Sequence, residues 1–252
     1  FKKSEIVYYL AANANVKYGY KNTYKDLEQN LIVTYNVLEA MRANNIKKIV
    51  FCSTGSIYGE PRKFPTPEDY NFPIQTSFYG ASKLAGEALI QAYCEAFAFK
   101  NWTFRFVSIL GNRYTHGHVY DFCNQLFKNP HILKVLGDGN QKKSYLHIND
   151  CIEAIMIAVK KTNNKINIFN LGTNEYCSVK QSISVITKEL KLRPKIFYSG
   201  GKRGWIGDSP FIFLDINKIR SLGWRPKFTI RKSILETVNY LKKNKWVYKK
   251  RK

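Results

Sequence analysis

The chain has 252 residues, of which 44% are hydrophobic and 15% aromatic, and it carries a formal net charge of +23. This hydrophobic fraction is typical of a globular protein and excludes an intrinsically disordered chain. The length suits one large α/β domain, or one such domain with a smaller lobe. No apolar run approaches the roughly 18 residues that span a bilayer, so we expect no membrane segment.

Five cysteines are scattered along the sequence, at Cys52, Cys94, Cys123, Cys151 and Cys177. No two of them are spaced as in a metal site or a redox motif, so we expect no bound metal. Isolated thiols of this kind are typical of a reducing compartment, and the expected location is the cytoplasm.

The positive charge has two interpretations. Lysines occur along the whole sequence, which favours a compositional bias on a solvated surface. The alternative is a surface for nucleic acid or another polyanion, since the residues after Glu236 form a basic tail without acids. The sequence contains no nucleic-acid-binding motif, so nucleic acid is an unlikely partner on our interpretation.

The first half of the sequence alternates apolar strands with long helices. Strands are predicted over 6–10, 46–53 and 102–109, and helices over about 23–44 and 78–97. Apolar strands separated by helices are typical of a parallel sheet with crossover connections. The connection from 55 to 77, rich in Gly, Pro and acids, has the length of a functional loop.

The second half has shorter elements. Helices are predicted over 119–127, 150–160, 179–190, 216–222 and 230–241, and strands over 133–136, 144–147, 166–171, 195–198 and 211–214. Asn149 and Asp150 are predicted to cap the second of these helices. We place a parallel-sheet domain in residues 1–112 and a lobe mainly in residues 113–252, with residues 144–171 expected to return to the parallel sheet.

Tyr79 and Lys83 are the strongest candidates for catalytic residues. They are four residues apart, so on a helix they lie on the same face, one turn apart. An ammonium group beside a phenol favours the phenolate and lowers the phenol pKa, which makes Tyr79 a candidate general base. Ser53 and Thr54 end the preceding strand and could place a second hydroxyl beside it.

A series of motifs around these residues resembles the extended short-chain dehydrogenases/reductases that epimerise nucleotide sugars, UDP-glucose 4-epimerases most of all. In chain order the matching stretches are Leu10-Ala11-Ala12, Asn30 with Asn36-Val37-Leu38-Glu39-Ala40, Ser53-Thr54-Gly55-Ser56-Ile57-Tyr58-Gly59-Glu60, Tyr79-Gly80-Ala81-Ser82-Lys83, Gly137-Asp138-Gly139-Asn140-Gln141, Tyr145-Leu146-His147-Ile148-Asn149-Asp150, Asn170-Leu171-Gly172 and Leu222-Gly223-Trp224-Arg225-Pro226. Because the stretches follow one another at the family's spacing, the resemblance covers the whole chain.

The resemblance implies a Rossmann-like, doubly wound parallel α/β sheet with a smaller carboxyl-terminal substrate lobe. It also implies NAD as cofactor and a nucleotide sugar as substrate, UDP-glucose and UDP-galactose before others. NAD would take the C4 hydride while Tyr79 takes the C4 hydroxyl proton. The 4-keto sugar would then turn and receive the hydride on its opposite face.

By the same resemblance, the catalytic residues are Thr54, Tyr79 and Lys83. The residues expected to contact the cofactor are Leu10, Ala11, Ala12, Asn30, Ser53, Tyr79 and Lys83. Those expected to contact the substrate are Asn13, Thr54, Ser108, His118, Lys143, Arg203 and Asp208. Alternative interpretations remain for four of them: a solvated Lys143, a structural Arg203–Asp208 pair and a surface His118.

Several positions depart from the family pattern. Ser108 stands where many epimerases have Asn, Lys143 where Arg is usual, and Tyr9 where His is frequent. Members that dehydrate the sugar carry an acidic pair after the catalytic hydroxyl, whereas Gly55 and Ser56 occupy those places here. Epimerisation is therefore favoured over dehydration. A nucleotide-sugar reductase, or a catalytically deficient remnant that binds polyanions, remains an alternative.

The family's amino-terminal Gly-x-x-Gly-x-x-Gly loop, which binds the cofactor pyrophosphate, has no counterpart in the sequence. We therefore expect the chain to be an amino-terminally truncated form that corresponds to about the last four-fifths of the family's length and binds NAD weakly or not at all. The two long helices, about 23–44 and 78–97, resemble those through which family members form homodimers, so we expect a homodimer.

Overall fold

The structure, a computed structural model, describes residues 4–71, 73–209 and 211–249; the last three residues of the basic tail lie outside these ranges. The strands are β1 (Ile6–Tyr9), β2 (Lys48–Thr54), β3 (Lys100–Phe106), β4 (Ser108–Leu110), β5 (Ile132–Val135), β6 (Lys142–Lys143), β7 (Tyr145–His147), β8 (Ile166–Leu171), β9 (Cys177–Ser178), β10 (Lys195–Tyr198) and β11 (Phe211–Ile212). The helices are α1 (Thr23–Asp26), α2 (Val33–Ala43), α3 (Phe78–Phe97), α4 (His118–Lys128), α5 (Ile148–Lys161), α6 (Val179–Leu190), α7 (Asn217–Ser221) and α8 (Ile230–Lys243).

A four-stranded parallel sheet in the order β1-β2-β3-β8 forms the centre of the molecule. Alternate residues of β2 point to opposite faces, so that Ile49 and Phe51 pack in one buried cluster with α2 and α3, and Val50 in another with α5 and α7. Burial on both faces accounts for the continuous apolar runs of these strands. The predicted doubly wound parallel sheet is confirmed.

Helix α3 begins and ends where the sequence predicts. The Ser77 side chain accepts a hydrogen bond from Gly80 N at 3.0 Å and caps the first turn. At the other end Ala98 adopts the left-handed conformation, with φ of 55°. Tyr79 therefore occupies the first turn, next to the carboxyl end of the sheet.

The first long helix is less regular than its pattern predicts. Instead of one α-helix over 23–44, α1 and α2 are joined by a π-helical segment, Leu27–Ile32. Asn30 lies in that segment and is fully buried. Such π segments occur frequently at functional sites.

Residues of the second half build a separate apolar cluster from α4, α6, α8 and β5; its buried members include Phe122, Leu126, Leu133, Ile183, Ile186, Ile234 and Leu241. Two details differ from prediction. His147, rather than Asn149 or Asp150, caps α5, because Asp150 accepts hydrogen bonds from Lys227 N and Phe228 N, both at 3.0 Å. The strand predicted over 102–109 divides at Val107, whose N–H donates to Leu171 O.

Residues 144–171 divide between two sheets. β8 joins the central sheet through β3, whereas β7 pairs with β4 in a small parallel sheet. None of the helices described for this chain has the length and apolar composition that crossing a bilayer requires.

Candidate active site

Thr54 and Tyr79 meet at the carboxyl end of the sheet. Thr54 is the last residue of β2, and its hydroxyl accepts a hydrogen bond from Ser56 N at 3.1 Å and is hydrogen-bonded to the Tyr79 side chain. Burial raises the pKa of Tyr79 to about 12, the Thr54 hydrogen bond lowers it, and the negative charges of Asp26 and Cys52 raise it. Two of the three predicted catalytic side chains are thus in direct contact.

Lys83 lies one turn further along α3 and is only 2% exposed. Its ammonium group sits 4.0 Å from the centre of the Phe51 ring, and burial lowers the lysine pKa to about 8, against the charges of Cys52 and Glu87. Lys83 is not among the groups that shift the Tyr79 pKa here, since its ammonium group faces the Phe51 ring, so the lowering of the Tyr79 pKa by Lys83 stays a prediction.

A buried polar network lies directly behind this site. Glu87 is one turn beyond Lys83 and forms a bidentate ion pair with Arg105 of β3, with a shortest N–O distance of 2.7 Å. Arg105 also donates to the Tyr58 hydroxyl at 2.8 Å. Ser53, expected to contact the cofactor, instead donates its hydroxyl to Glu87. Because the Ser53 hydroxyl is engaged in this hydrogen bond, the predicted cofactor contact would have to come from the Ser53 backbone.

The loop after β1 has the properties expected of a cofactor-binding edge. Leu10 is 62% exposed, and Ala11 and Ala12 are exposed small residues at the carboxyl end of a parallel strand. Ligands of open α/β sheets bind at this end, where small side chains let them approach the backbone. These residues fit a dinucleotide, although the Gly-rich loop that would hold its pyrophosphate is not among the described residues.

Asn30 and Asn13 are hydrogen-bonded to each other and to Asp26. Asn13 N donates to Asn30 Oδ1 at 2.8 Å, and Asn13 Nδ2 donates to Asp26 Oδ1 at 2.8 Å. Asn30 Nδ2 lies within hydrogen-bonding distance of Asp26 Oδ1 and Ser82 Oγ, at 3.2 and 3.1 Å. The predicted ligand contact of the Asn30 side chain is therefore corrected: both ends of its amide stabilise the loop after β1.

Three predicted substrate contacts converge on the loop over 199–209. Lys143 forms a 2.8 Å ion pair with Asp208, whose second oxygen accepts from Gly204 N at 3.0 Å. Arg203 pairs with Glu60, and Ser209 Oγ donates to Gly59 O at 3.1 Å. The structural Arg203–Asp208 pair considered as an alternative is absent from the described part of the chain, since each residue has a different partner.

The loop over 199–209 also contacts the amino-terminal half of the chain. The Lys17 ammonium group stacks on the Trp205 ring at 4.5 Å from its centre. This contact connects the loop over 199–209 with the segment between β1 and α1.

His118 and Ser108 form none of these ion pairs. His118 is hydrogen-bonded to Ser182 Oγ at 2.6 Å and to the Tyr145 hydroxyl at 3.1 Å. Burial, with a smaller effect from Lys143, lowers the pKa of His118 to about 3, so the ring is neutral. The ring therefore brings no charge to the diphosphate site, and its place in that site stays a prediction. Ser108 is exposed at the start of β4.

Three site residues were missed by sequence reasoning: Asp26, Glu87 and Arg105. Spacing gave a signal for two of them, because Glu87 follows Lys83 by four residues and Asp26 precedes Asn30 by four. Arg105 gave no local signal, since its partners Glu87 and Tyr58 are distant in sequence.

The profile of the NAD dependent epimerase/dehydratase family matches residues 1–172. A putative UDP-glucose 4-epimerase of Methanocaldococcus jannaschii is 34% identical over 250 residues, which are 97% of this chain and 79% of the relative. A crystal structure of UDP-galactose 4-epimerase superimposes with a TM-score of 0.88 at 30% identity, covering 97% of this chain and 80% of the other.

A UDP-glucuronic acid 4-epimerase of Bacillus cereus, solved with UDP-glucuronic acid and NAD, superimposes with a TM-score of 0.87 at 27% identity and covers 95% and 76% of the two chains. The profile match extends over more than half of the sequence, and the similarity to the archaeal relative over nearly all of it. The chain belongs to the NAD-dependent epimerase/dehydratase family of nucleotide-sugar enzymes.

Proposed function

We propose that this protein interconverts the C4 epimers of a nucleotide sugar, UDP-glucose and UDP-galactose, with Tyr79 as the base. The observation that carries the proposal is the hydrogen bond between Thr54 and Tyr79 at the carboxyl end of the parallel sheet, with Lys83 buried one turn away. The names of the M. jannaschii relative and of the UDP-galactose 4-epimerase structure support this choice of substrate.

NAD and the chain's own residues have separate roles in the proposed reaction. NAD, when bound, accepts a hydride from the sugar and returns it. Tyr79 takes the hydroxyl proton as general base and later gives it back. Thr54, hydrogen-bonded to Tyr79, orients the same sugar oxygen, and Leu10, Ala11 and Ala12 border the cofactor. Lys83 would hold the nicotinamide ribose when NAD is bound.

Packing around Gly55 supports epimerisation rather than dehydration. A Cβ atom at this position would lie 3.1 Å from Ile212 Cγ2 and 3.3 Å from Leu214 Cδ1, so an acidic side chain has no room without displacing both. Elimination of water needs an acid and a base after the catalytic hydroxyl. With Gly55 and Ser56 in these places, only proton transfer through Tyr79 is available.

Charges on the loop over 199–209 suit the nucleotide diphosphate. Lys143 and Arg203 supply two cations, each paired here with its own acid, Lys143 with Asp208 and Arg203 with Glu60. A diphosphate replaces the contacts to Glu60 and Asp208, and the freed Asp208 then meets the nucleotide ribose. Lys143 contributes a point charge rather than the bidentate fork of an arginine.

The decisive experiment incubates the purified protein and NAD with UDP-glucose, UDP-galactose or UDP-glucuronate and follows each sugar by NMR. We expect interconversion of the first two without net NADH. Tyr79→Phe should reduce turnover by roughly 10²–10⁴-fold, the usual contribution of a general base.

Tyr93→Phe is the matched control, since Tyr93 lies on the same helix and its hydroxyl contacts Glu39. Unchanged turnover in Tyr79→Phe would remove Tyr79 from the mechanism. Epimerisation of UDP-glucuronate alone would replace the proposed substrate. Stoichiometric consumption of NADH would identify a reductase.

We further propose a homodimer and a reducing, cytoplasmic location. Exposed apolar side chains on α1, the π segment, α2 and α3 support the dimer; they are Tyr24, Leu27, Ile32, Tyr35, Phe78 and Phe97. Five free thiols in the described chain, with Cys94, Cys123 and Cys151 buried, support the reducing compartment.

A further inference from the structure

Asp26 is a buried acid beside the catalytic site that the proposed reaction leaves unused. It is the last residue of the one-turn helix α1, and an acid in a first helical turn is stabilised by the helix dipole. Here the side chain is 1% exposed. Its Oδ1 accepts hydrogen bonds from Asn13 and Asn30, and its Oδ2 has no partner among the described residues.

Gly19 packs against the side chain of Asp26. A Cβ atom at Gly19 would lie 2.5 Å from Asp26 Oδ2, so only glycine fits there. Burial raises the pKa of Asp26, and the hydrogen bond from Asn13 is the opposing influence. A buried carboxylate without a cation destabilises a fold, and asparagine would keep the bonds to Oδ1 at lower cost.

Two kinds of contact connect this carboxylate with Tyr79. Asn30, which Asp26 holds, reaches Ser82 Oγ, and Ser82 Oγ donates to Tyr79 O at 2.9 Å. The negative charge of Asp26 also raises the pKa of the Tyr79 phenol. One side chain thus links the loop after β1, the π segment and the first turn of α3.

We propose that Asp26 is a positioning residue of the Tyr79 site: through Asn30 and Ser82, its carboxylate fixes the loop after β1 against the first turn of α3. The inference rests on the proposed role of Tyr79 as base. Epimerisation needs the phenol to hold its proton while the oxidised sugar turns, and a fixed negative charge favours that state.

The other groups that face Tyr79 come from two elements. From β2, the Thr54 hydrogen bond favours the phenolate and the Cys52 thiol disfavours it. From α3 itself, Lys83 is directed at the Phe51 ring. Asp26 is the acid that α1 contributes to the surroundings of Tyr79, so the experiment follows the ionisation of Asp26.

The test labels tyrosine with ¹³C at Cζ and identifies the Tyr79 resonance by its loss in Tyr79→Phe. In the wild-type protein we expect this resonance to shift as Asp26 ionises, at a pH above that of a free aspartate because burial raises the Asp26 pKa. The shift should be absent in Asp26→Asn and retained in Glu95→Gln, which removes an exposed charge from the same helix as Tyr79.

A second readout uses the NAD-loaded protein. The acidic limb of the pH–rate profile should move to lower pH by roughly one unit in Asp26→Asn, because a like charge next to Tyr79 has been removed. Absence of the wild-type NMR step, or its persistence in Asp26→Asn, would overturn the proposal. The NMR step requires no turnover, so it stays interpretable if the proposed reaction itself proves wrong.

Discussion

At the scale of single residues, Lys83 combines a buried position with a charge that its surroundings oppose. Its ammonium group contacts the face of Phe51, and burial lowers its pKa to about 8, below the 10.5 of a free lysine. Because the folded-state pKa is the lower one, the charged form costs stability at every pH below about 8. The cost declines as the pH rises toward 10.5.

Lys83→Met should therefore stabilise the protein at pH 7 by about 1–3 kcal/mol while abolishing turnover. The gain should shrink between pH 8 and pH 10. Urea unfolding of both proteins at three pH values measures this, with Lys188→Met on α6 as the exposed control. A destabilised Lys83→Met protein at pH 7 would contradict the argument.

The sequence placed side chains well where their position depends on local structure, and it failed where a side chain has a distant partner. Tyr79 and Lys83 lie one turn apart on α3 and Thr54 ends β2, as predicted from spacing and strand pattern, while their catalytic roles stay predictions. Ser53 and Asn30 were assigned to the cofactor, yet Glu87, Asp26 and Ser82 engage their side chains. Those partners lie on other elements, so the local sequence did not reveal them.

At the scale of elements, the start of α3 determines where Tyr79 lies. Ser77 Oγ accepts from Gly80 N and fixes the first turn, which carries the tyrosine. Helix α6 begins in the same way, with Ser178 Oγ accepting from Gln181 N at 3.2 Å, but no predicted catalytic residue lies on it. A comparison of variants at Ser77 and Ser178 therefore distinguishes the effect of a helix cap on stability from its effect on catalysis.

Ser77→Ala and Ser178→Ala should each lower the free energy of unfolding by about 1 kcal/mol, as loss of a helix cap usually does. Only Ser77→Ala should also reduce kcat, because it loosens the turn that holds the phenol. Denaturant unfolding and steady-state kinetics on both variants measure the two effects. An equal loss of kcat in both would show that the cap at α3 has no special role.

Helix boundaries were predictable where capping and periodicity agree, as in α3. The π segment was not, because Asn30 is held there by bonds to Asn13 and Ser82. A periodic hydrophobic pattern shows which face of a helix is apolar, but it does not show tertiary hydrogen bonds of this kind. The cap of α5 was misplaced for a similar reason, since the Asp150 carboxylate is engaged by the chain after Trp224.

At the scale of the whole molecule, the apolar surface is uneven. The parallel sheet is covered by helices on both sides, as its uninterrupted apolar strands predicted. The outer surfaces of α1 and α2 nevertheless expose large apolar side chains, with Tyr24 57% and Tyr35 49% exposed. Contiguous exposed apolar groups on a charged protein indicate an interface, and a second copy of the chain is the proposed partner.

A double variant, Tyr24→Glu with Tyr35→Glu, should convert the dimer to a monomer of 29.3 kDa, because it places four like charges in a two-fold interface. Sedimentation velocity over a range of concentrations measures the change. Ile152→Glu is the control: it is 53% exposed, but it lies on α5, on the other side of the sheet. A wild-type protein that sediments as a monomer, or a double variant that stays dimeric, would place the interface elsewhere or remove it, and the apolar side chains on α1 and α2 would then need another partner.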